Sequence, residues 1–401
     1  MLTLDKVYHA AYVLRECARK TDLIAAPLLS ESHNLYLKTE NLQVTGSFKL
    51  RGAYYKISQL SDEEKSRGIV ACSAGNHAQG VAMSASRKGI KATICMPDGA
   101  PVMKVESTRR LGANIELVKG AYDDAHDRAV NLVEETGATF IHPYDDDFVI
   151  AGQATIGLEI LDQLEDVEAI IVPIGGGGLI SGVSFAVKSL KPDVKIYGVQ
   201  AAGAPSMYNS FLHHQREVLD GVSTFADGIA VKNPGENTFE IISKYVDDIV
   251  CVSEDEIAAA ILALIEKQKL IAEGAGAVPV AAAMFHKLPI ENKKTVCVVS
   301  GGNIDVNILS RVITRGLMMT GRNVNLTIEL VDKPGQLQQV SEIIASCGAN
   351  VVSVYYDHGD TNMAINSCFL KLALETRDSK QIETIRHELT NAGFRIVTER
   401  V

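Results

Sequence analysis

Between Ile69 and Val299, short runs that are apolar throughout recur along the chain: Ile69–Cys72, Ala92–Met96, Ile115–Val118, Thr139–Ile141, Ile170–Pro173, Ile196–Val199, Ile249–Val252 and Val296–Val299. The stretches between them, such as Ala78–Lys88 and Ile257–Gln268, carry apolar residues at helical spacing. A strand that is apolar on both faces belongs in a parallel sheet covered by helices on each side. The pattern predicts an α/β fold, doubly wound from βα units, over the first three-hundred-odd residues. In such folds ligands sit beyond the carboxyl ends of the strands, so the turns leaving the strands are where chemistry is sought.

After Gly321 the period changes. Val324, Leu326, Ile328 and Leu330 alternate with polar residues, which predicts a strand with one wet face. The turn Asp332-Lys333-Pro334-Gly335 follows, then a helix carrying Leu337, Val340, Ile343 and Ile344. Two more alternating strands (Val352/Val354/Tyr356 and Cys368/Leu370/Leu372/Leu374), a helix with Ile382, Ile385 and Leu389, and a short strand at Phe394–Val397 complete the order βαββαβ. That is a ferredoxin-like arrangement, and it predicts a separate domain over 321–401 after a first domain over 1–320.

Composition narrows the partners. The 401 residues carry a net charge of −10, which argues against nucleic acid or an acidic membrane, both of which call for a basic patch. The uncharged stretch Ala169–Val187 is interrupted by Pro173 and by Gly175 to Gly178, so it does not read as a membrane span. Asp5, Lys6, Arg15 and Glu16 break any signal-peptide core. Seven scattered cysteines without a CxxC pair read as buried thiols in a reducing cytosol. No histidine spacing of the HExxH kind supports a catalytic metal.

The stretch Gly46-Ser47-Phe48-Lys49-Leu50-Arg51-Gly52-Ala53 joins a polar, loop-like run (Lys38 to Thr45) to a helical one. Ser47 reads as the helix cap and Gly46 as the turn residue. Lys49 then falls in the first helical turn, where exposed N–H dipoles disfavour a cation. Either Lys49 and Arg51 are an ordinary solvated pair, or the Lys49 amine is held neutral, ready to act as a nucleophile and Schiff-base former.

Three strand exits add to this. Ser73-Ala74-Gly75-Asn76-His77 offers backbone N–H groups suited to a carboxylate or phosphate, with Asn76 and His77 as side-chain donors. Gly175-Gly176-Gly177-Gly178-Leu179 precedes a helix and reads either as a phosphate cup or as a place of close packing. It lacks the spacing of a nucleotide fingerprint. Ser300-Gly301-Gly302-Asn303 places a neutral hydroxyl where a heteroaromatic nitrogen would meet it.

A lysine amine, a phosphate cup, a carboxylate-binding turn and a neutral hydroxyl together fit pyridoxal 5'-phosphate facing an amino acid. The chain resembles the threonine dehydratases (threonine ammonia-lyases) of the tryptophan-synthase-β-like, fold type II group. The resemblance covers essentially its whole length, and the C-terminal domain resembles an ACT domain. It implies a two-subdomain catalytic domain, with a smaller subdomain at roughly 41–148. It also implies that Lys49 carries the cofactor, that Phe48 flanks its ring and that Asn76 bonds the phenolic oxygen. Gly175, Gly176, Gly177, Gly178 and Leu179 would cradle the phosphate, Ser300 face the pyridine nitrogen, and Ser73 to His77 hold the substrate carboxylate. Glu273 matches an acid near the ring edge in relatives, though a helix-start glutamate is an equal reading.

The activity implied is α,β-elimination on L-threonine, with L-serine as a lesser substrate, giving a 2-oxoacid and ammonia. Serine dehydratase, a β-replacing enzyme and a non-catalytic amino-acid sensor are the alternatives. Ala74 stands where serine racemases carry a proton-donating serine, and Gln200, Ala204 and Ser206 stand at their cation site without a carboxylate, so neither racemisation nor a bound metal is expected. For the C-terminal domain two roles are open. It is a dimerisation module pairing through an exposed edge strand such as Val324–Leu330, or it binds isoleucine or valine near Asp332, Gly335 and Leu337. A cytoplasmic homodimer or homotetramer is expected, in either isoleucine synthesis or threonine breakdown.

Overall fold

The eight apolar runs are strands, and they divide between two parallel sheets. A computed structural model of the chain describes residues 1–30, 34–358 and 366–397. The chain forms two compact units, Met1–Asp305 and Val306–Val401. In chain order the first unit holds β1 (Leu23–Ala25), β2 (Asn34–Lys38), β3 (Ile69–Cys72), β4 (Ala92–Pro97) and β5 (Asn114–Val118), then β6 (Thr139–Phe140), β7 (Ala169–Pro173), β8 (Lys195–Ala201), β9 (Asp248–Val252) and β10 (Lys294–Val298). The smaller sheet has the order β5-β4-β3-β6, all parallel. The larger has the order β1-β2-β10-β7-β8-β9, parallel except for β1 against β2.

β7 is buried along its whole length, the condition its unbroken apolar sequence anticipates. Ile170 and Val172 of β7 pack with Ile180, Val183 and Val187 of the helix Gly178–Leu190. In the smaller subdomain Ala53 and Ile57 of the helix Lys49–Ser58 pack with Val81 and Ala85 of the helix Asn76–Lys88. The helix Lys49–Ser58 also crosses the helix Asp147–Gln163 at two glycines. A Cβ on Gly52 would lie 2.7 Å from the Val149 carbonyl oxygen, and one on Gly152 would lie 2.6 Å from the Arg51 carbonyl oxygen. The glycines set how closely the two helices approach, and with that the depth at which Lys49 begins its helix.

The run from Lys38 to Thr45 is not the solvated loop its polarity suggests. Lys38, Thr39, Glu40, Asn41, Gln43 and Thr45 are buried. Arg51, also buried, donates to Glu40 at 2.8 Å and to Glu159 at 2.7 Å, while Lys38 Nζ donates to Glu159 at 2.6 Å. Two cations and two carboxylates neutralise one another and fix the start of the Lys49 helix to β2 and to the helix Asp147–Gln163. The solvated Lys/Arg pair is thereby overturned, because charges this deep persist only when each is paired.

The second unit contains β11 (Asn323–Val331), β12 (Asn350–Asp357), β13 (Ser367–Glu375) and β14 (Arg395–Val397). They form an antiparallel sheet in the order β12-β13-β11-β14. Leu326, Ile328, Leu330, Leu370 and Leu372 meet Val340 and Ile344 of the helix Gln336–Ser346 and Ile385 and Leu389 of the helix Ser379–Asn391. β11 is paired on both sides, so the expectation that Val324–Leu330 offers an exposed edge is corrected: β12 and β14 are the edges. The helix Val306–Met319 belongs to this unit, which moves the division from the expected 320/321 to 305/306.

Candidate active site

The backbone of Gly46–Phe48 pairs with that of Ser300–Gly302, which brings the lysine motif beside a strand exit some 250 residues later. Phe48 N donates to the Ser300 carbonyl at 3.1 Å, Gly302 N donates to the Gly46 carbonyl at 2.9 Å, and Ser47 bridges Gly301. Gly46 has φ +72°, and a Cβ there would meet Asn303 Oδ1 at 2.3 Å, so its glycine is required on both counts. The helix starts one residue later than the cap reading has it: Phe48 is the N-cap residue, with no side-chain cap bond. Ser47 therefore does not cap. Its hydroxyl is buried without a partner among the described residues.

Lys49 is the first residue of the helix, and its Nζ donates to the Pro143 carbonyl at 2.7 Å. Part of its side chain stays accessible from the cleft, yet burial of the amine pulls its pKa down to about 8, against the opposing pull of Glu273. Near neutral pH the amine thus exchanges its proton readily, as a nucleophile or general base requires.

The chain from His142 to Asp146, leaving β6, links this lysine to the glycine loop. Among the described residues no backbone acceptor takes the N–H groups of Gly175, Gly176 or Gly177. Gly178 and Leu179 begin a helix, where first-turn N–H groups have no intrahelical acceptor. A Cβ on Gly176 would strike the Tyr144 ring at 2.5 Å, and one on Gly178 would lie 2.8 Å from the Tyr144 carbonyl oxygen. Gly177 has φ +99°. Thr238 Oγ1 donates to the Gly176 carbonyl at 2.7 Å, and the Asp145 carboxylate accepts from the Thr238 and Glu236 N–H groups. The loop is thus held through its carbonyls and its close neighbours, with its N–H groups left without a backbone acceptor among the described residues. Close packing, one of the two readings of the glycine run, is what the contacts with Tyr144 display; the phosphate cup remains the other reading.

The exit of β3 opens onto space: nothing lies within 4 Å of a Cβ built on Gly75. Ser73 Oγ accepts from Gly75 N at 3.1 Å, and the helix begins at Asn76. His77 does not contribute its ring. Nε2–H donates to the Ile141 carbonyl at 2.8 Å, and burial, with Lys49 nearby, lowers its pKa to about 3. What His77 adds at the turn is its backbone N–H, so the side-chain donor reading is corrected for this residue.

Asn76 is oriented at both ends of its amide. Asn303 Nδ2 donates to Asn76 Oδ1 at 2.8 Å, and Asn76 Nδ2 donates to Glu273 Oε1 at 2.6 Å, leaving one amide hydrogen free. Glu273 is the N-cap residue of the helix Gly274–Met284, and its carboxylate makes no cap bond there but accepts from Asn76. Burial first, then Asp227, push its pKa up to about 7, while the Asn76 bond opposes them. Ser300 is buried, and among the described residues none bonds its hydroxyl. Gln200 donates to the Ile174 carbonyl and accepts from Tyr208 N, and Ser206 donates to the Val231 carbonyl, so both side chains serve the fold.

Tyr144, Thr238 and Asp227 escape motif reading, and Asn303 is read only as part of its strand exit, without a partner. Tyr144 follows β6 and answers to the same strand-exit rule that found Gly175; Thr238 and Asp227 carry no local signal. The arrangement fits pyridoxal phosphate on observations of the protein itself: a cup from which side chains are excluded, an amine of lowered pKa, a neutral buried hydroxyl and an oriented amide. Residues 14–302 match the profile of the family described as pyridoxal-phosphate dependent enzymes. The chain is 50% identical over 398 residues, 99% of each chain, to the L-threonine ammonia-lyase of Thermotoga maritima. Among solved structures, the processed threonine deaminase isoform 2 of Solanum lycopersicum superposes with a TM-score of 0.73 at 40% identity, over 77% of this chain and 88% of that one. Maize serine racemase superposes with a TM-score of 0.74 at 33% identity, over 79% and 98%. With that match across three quarters of its length, and a site to go with it, the chain belongs to the pyridoxal-phosphate-dependent enzymes of this fold.

Proposed function

We propose that this protein is a threonine ammonia-lyase, converting L-threonine, and L-serine less well, to a 2-oxoacid and ammonia. The observation that carries the reading is the Lys49 amine, poised near neutrality at the head of its helix and 2.7 Å from Pro143 O. The whole-length identity to a protein named L-threonine ammonia-lyase supports the same conclusion.

The roles are those the resemblance implies, and the geometry supports them. Gly175 to Gly178 and Leu179 bind the cofactor phosphate through N–H groups, aided by the positive end of the helix Gly178–Leu190. Lys49 would hold the cofactor covalently, Phe48 would flank its ring, Ser300 would offer its hydroxyl to the ring nitrogen, and Asn76 its second amide hydrogen to the phenolic oxygen. The bound cofactor supplies an electron sink for the bond broken at the substrate α-carbon. The N–H groups at the turn Ser73–His77, with Ala74 and Gly75 keeping it narrow, orient the substrate carboxylate. The Lys49 amine would take the substrate α-proton as general base. The β-hydroxyl leaves as water, and water then replaces the nitrogen of the released product, which yields the oxoacid and ammonia. Glu273 keeps a carboxyl at the ring edge whose charge changes near pH 7. Ala74 has no proton to deliver to the opposite face, so elimination is not diverted to racemisation. Serine is accepted because one methyl of pocket contact discriminates by only about 10–200-fold.

The second unit carries the regulatory role, as an ACT domain responding to isoleucine or valine. Asp332 is exposed and Gly335 (φ +91°) opens the helix Gln336–Ser346, whereas Leu337 packs on the domain's own core. Of the three, Asp332 and Gly335 are the ones the domain's own core leaves uncovered. The chain is read as a cytoplasmic homodimer or homotetramer; among the described residues no helix is long and apolar enough to cross a membrane. Two measurements test the reading: 2-oxobutyrate from threonine and pyruvate from serine, each with and without isoleucine and valine, and borohydride trapping of the chromophore on Lys49. A colourless protein that forms no oxoacid when given the cofactor overturns it.

A further inference from the structure

The strand register of the second unit gathers three metal-binding side chains at one end of its sheet. Side chains two apart on a strand share a face. On β11 the buried Leu326, Ile328 and Leu330 occupy the helix-covered face, and Asp332 is the next position of that parity. On the central strand β13, Cys368 pairs with Leu330 and shares its face with Leu370 and Leu372. On β12, Tyr356 pairs with Leu370, so His358 continues opposite Cys368; the Tyr356 and His358 rings stack at 6.0 Å. Three adjacent strands therefore present a carboxylate, a thiol and an imidazole in a row. Asp332 Oδ2 lies 3.6 Å from His358 Nε2, and one ligand atom from each of the three falls within 4.8 Å of the others.

The geometry points to a binding site for a zinc-class divalent metal ion, formed by Asp332, His358 and Cys368 in the C-terminal unit. Thiolate, imidazole and carboxylate are the donors zinc takes in four-coordinate sites, and a thiol is a poor ligand for magnesium or calcium. Zinc bonded at about 2.0–2.3 Å needs ligand atoms about 3.5 Å apart. The Asp332–His358 pair already meets that spacing, and both side chains are more than half exposed, free to turn toward a metal. Cys368 is fully buried and supplies the fixed corner. Binding releases the thiol proton, and the fourth position is left to water. This site lies outside the residues assigned to the lyase reaction and stands whether or not that reading holds.

The test uses the full-length, cofactor-loaded protein, stripped by chelator and titrated with Co²⁺ as a coloured stand-in for zinc. The expected result is one ion per chain, with the visible bands of tetrahedral cobalt, displaced by one equivalent of Zn²⁺. Cys368→Ala abolishes those bands. Asp332→Asn and His358→Gln, exposed and without consequence for folding, weaken binding by at least the roughly 10–100-fold that loss of a supporting contact costs. Saturable binding that survives all three changes, or none at stoichiometric cobalt, overturns the proposal and leaves Cys368 a core residue beside a surface ion pair.

Discussion

Glu273 is 4% exposed and accepts one hydrogen bond, from Asn76, so its ionisation above pH 7 is held against desolvation with little help. Its pKa is raised on folding, which means the folded chain binds more protons than the unfolded chain between about 4.5 and about 7. The stability it contributes is whole below the lower value and is lost as pH rises through the upper one. His77 runs the other way: held neutral by burial, it penalises folding as pH falls below its ordinary value. The two trends overlap, so the difference between the cofactor-free protein and its Glu273→Gln variant is the quantity to measure. Thermal unfolding across pH 4.5–8 should show the variant gaining relative stability as pH rises, by no more than about 3 kcal/mol. A difference that stays flat would mean Glu273 titrates normally. Arg51 poses a separate case. Burial works against its charge, but Glu40 and Glu159 overcome that and hold its pKa above the ordinary value. Arg51→Met leaves Glu40 buried without its main partner and should cost about 3–5 kcal/mol in denaturant unfolding.

At the scale of elements, the glycines do two different jobs. Gly176 lies against the Tyr144 ring in the loop proposed to take the phosphate; Gly176→Ala drives a methyl into that ring and should weaken cofactor binding about tenfold or more, read from absorbance on titrating the cofactor-free protein. Gly52 sets a helix crossing; Gly52→Ala should cost about 1–3 kcal/mol in stability while leaving the loop intact. The elements themselves were legible where one period prevailed: every parallel strand between Ile69 and Val298 and the βαββαβ order after Gly321 follow from it. Three residues, Leu23–Ala25, are too few to show a period, which hides β1. Lys38 ends β2 as a buried cation, and its polarity disguised a core strand as loop. The lysine, the glycine run and the β3 exit were found because each is dense in local signal. Asn303 belongs to a strand exit the sequence does show, but its bond to Asn76 crosses more than 200 residues, as that of Thr238 to Gly176 crosses more than 60, and no local pattern reports those partners.

The two units differ in what they contain. Every residue assigned to cofactor or substrate lies before Asp305, and the family match ends at residue 302. The first unit closes its own core through β10, which pairs with both β2 and β7 and is complete by Val298. A fragment ending at Asp305 breaks no strand pairing, whereas one ending at 320 would retain the helix Val306–Met319 without the sheet it belongs with. The fragment 1–305 should therefore fold, take up the cofactor and form oxoacid from threonine, and it should lose any response to isoleucine or valine that the full chain shows. Oxoacid assays of the two proteins side by side decide the matter: a fragment still modulated by either amino acid would place the effector on the catalytic unit, and a fragment that cannot hold the cofactor would show that the first unit does not suffice for it.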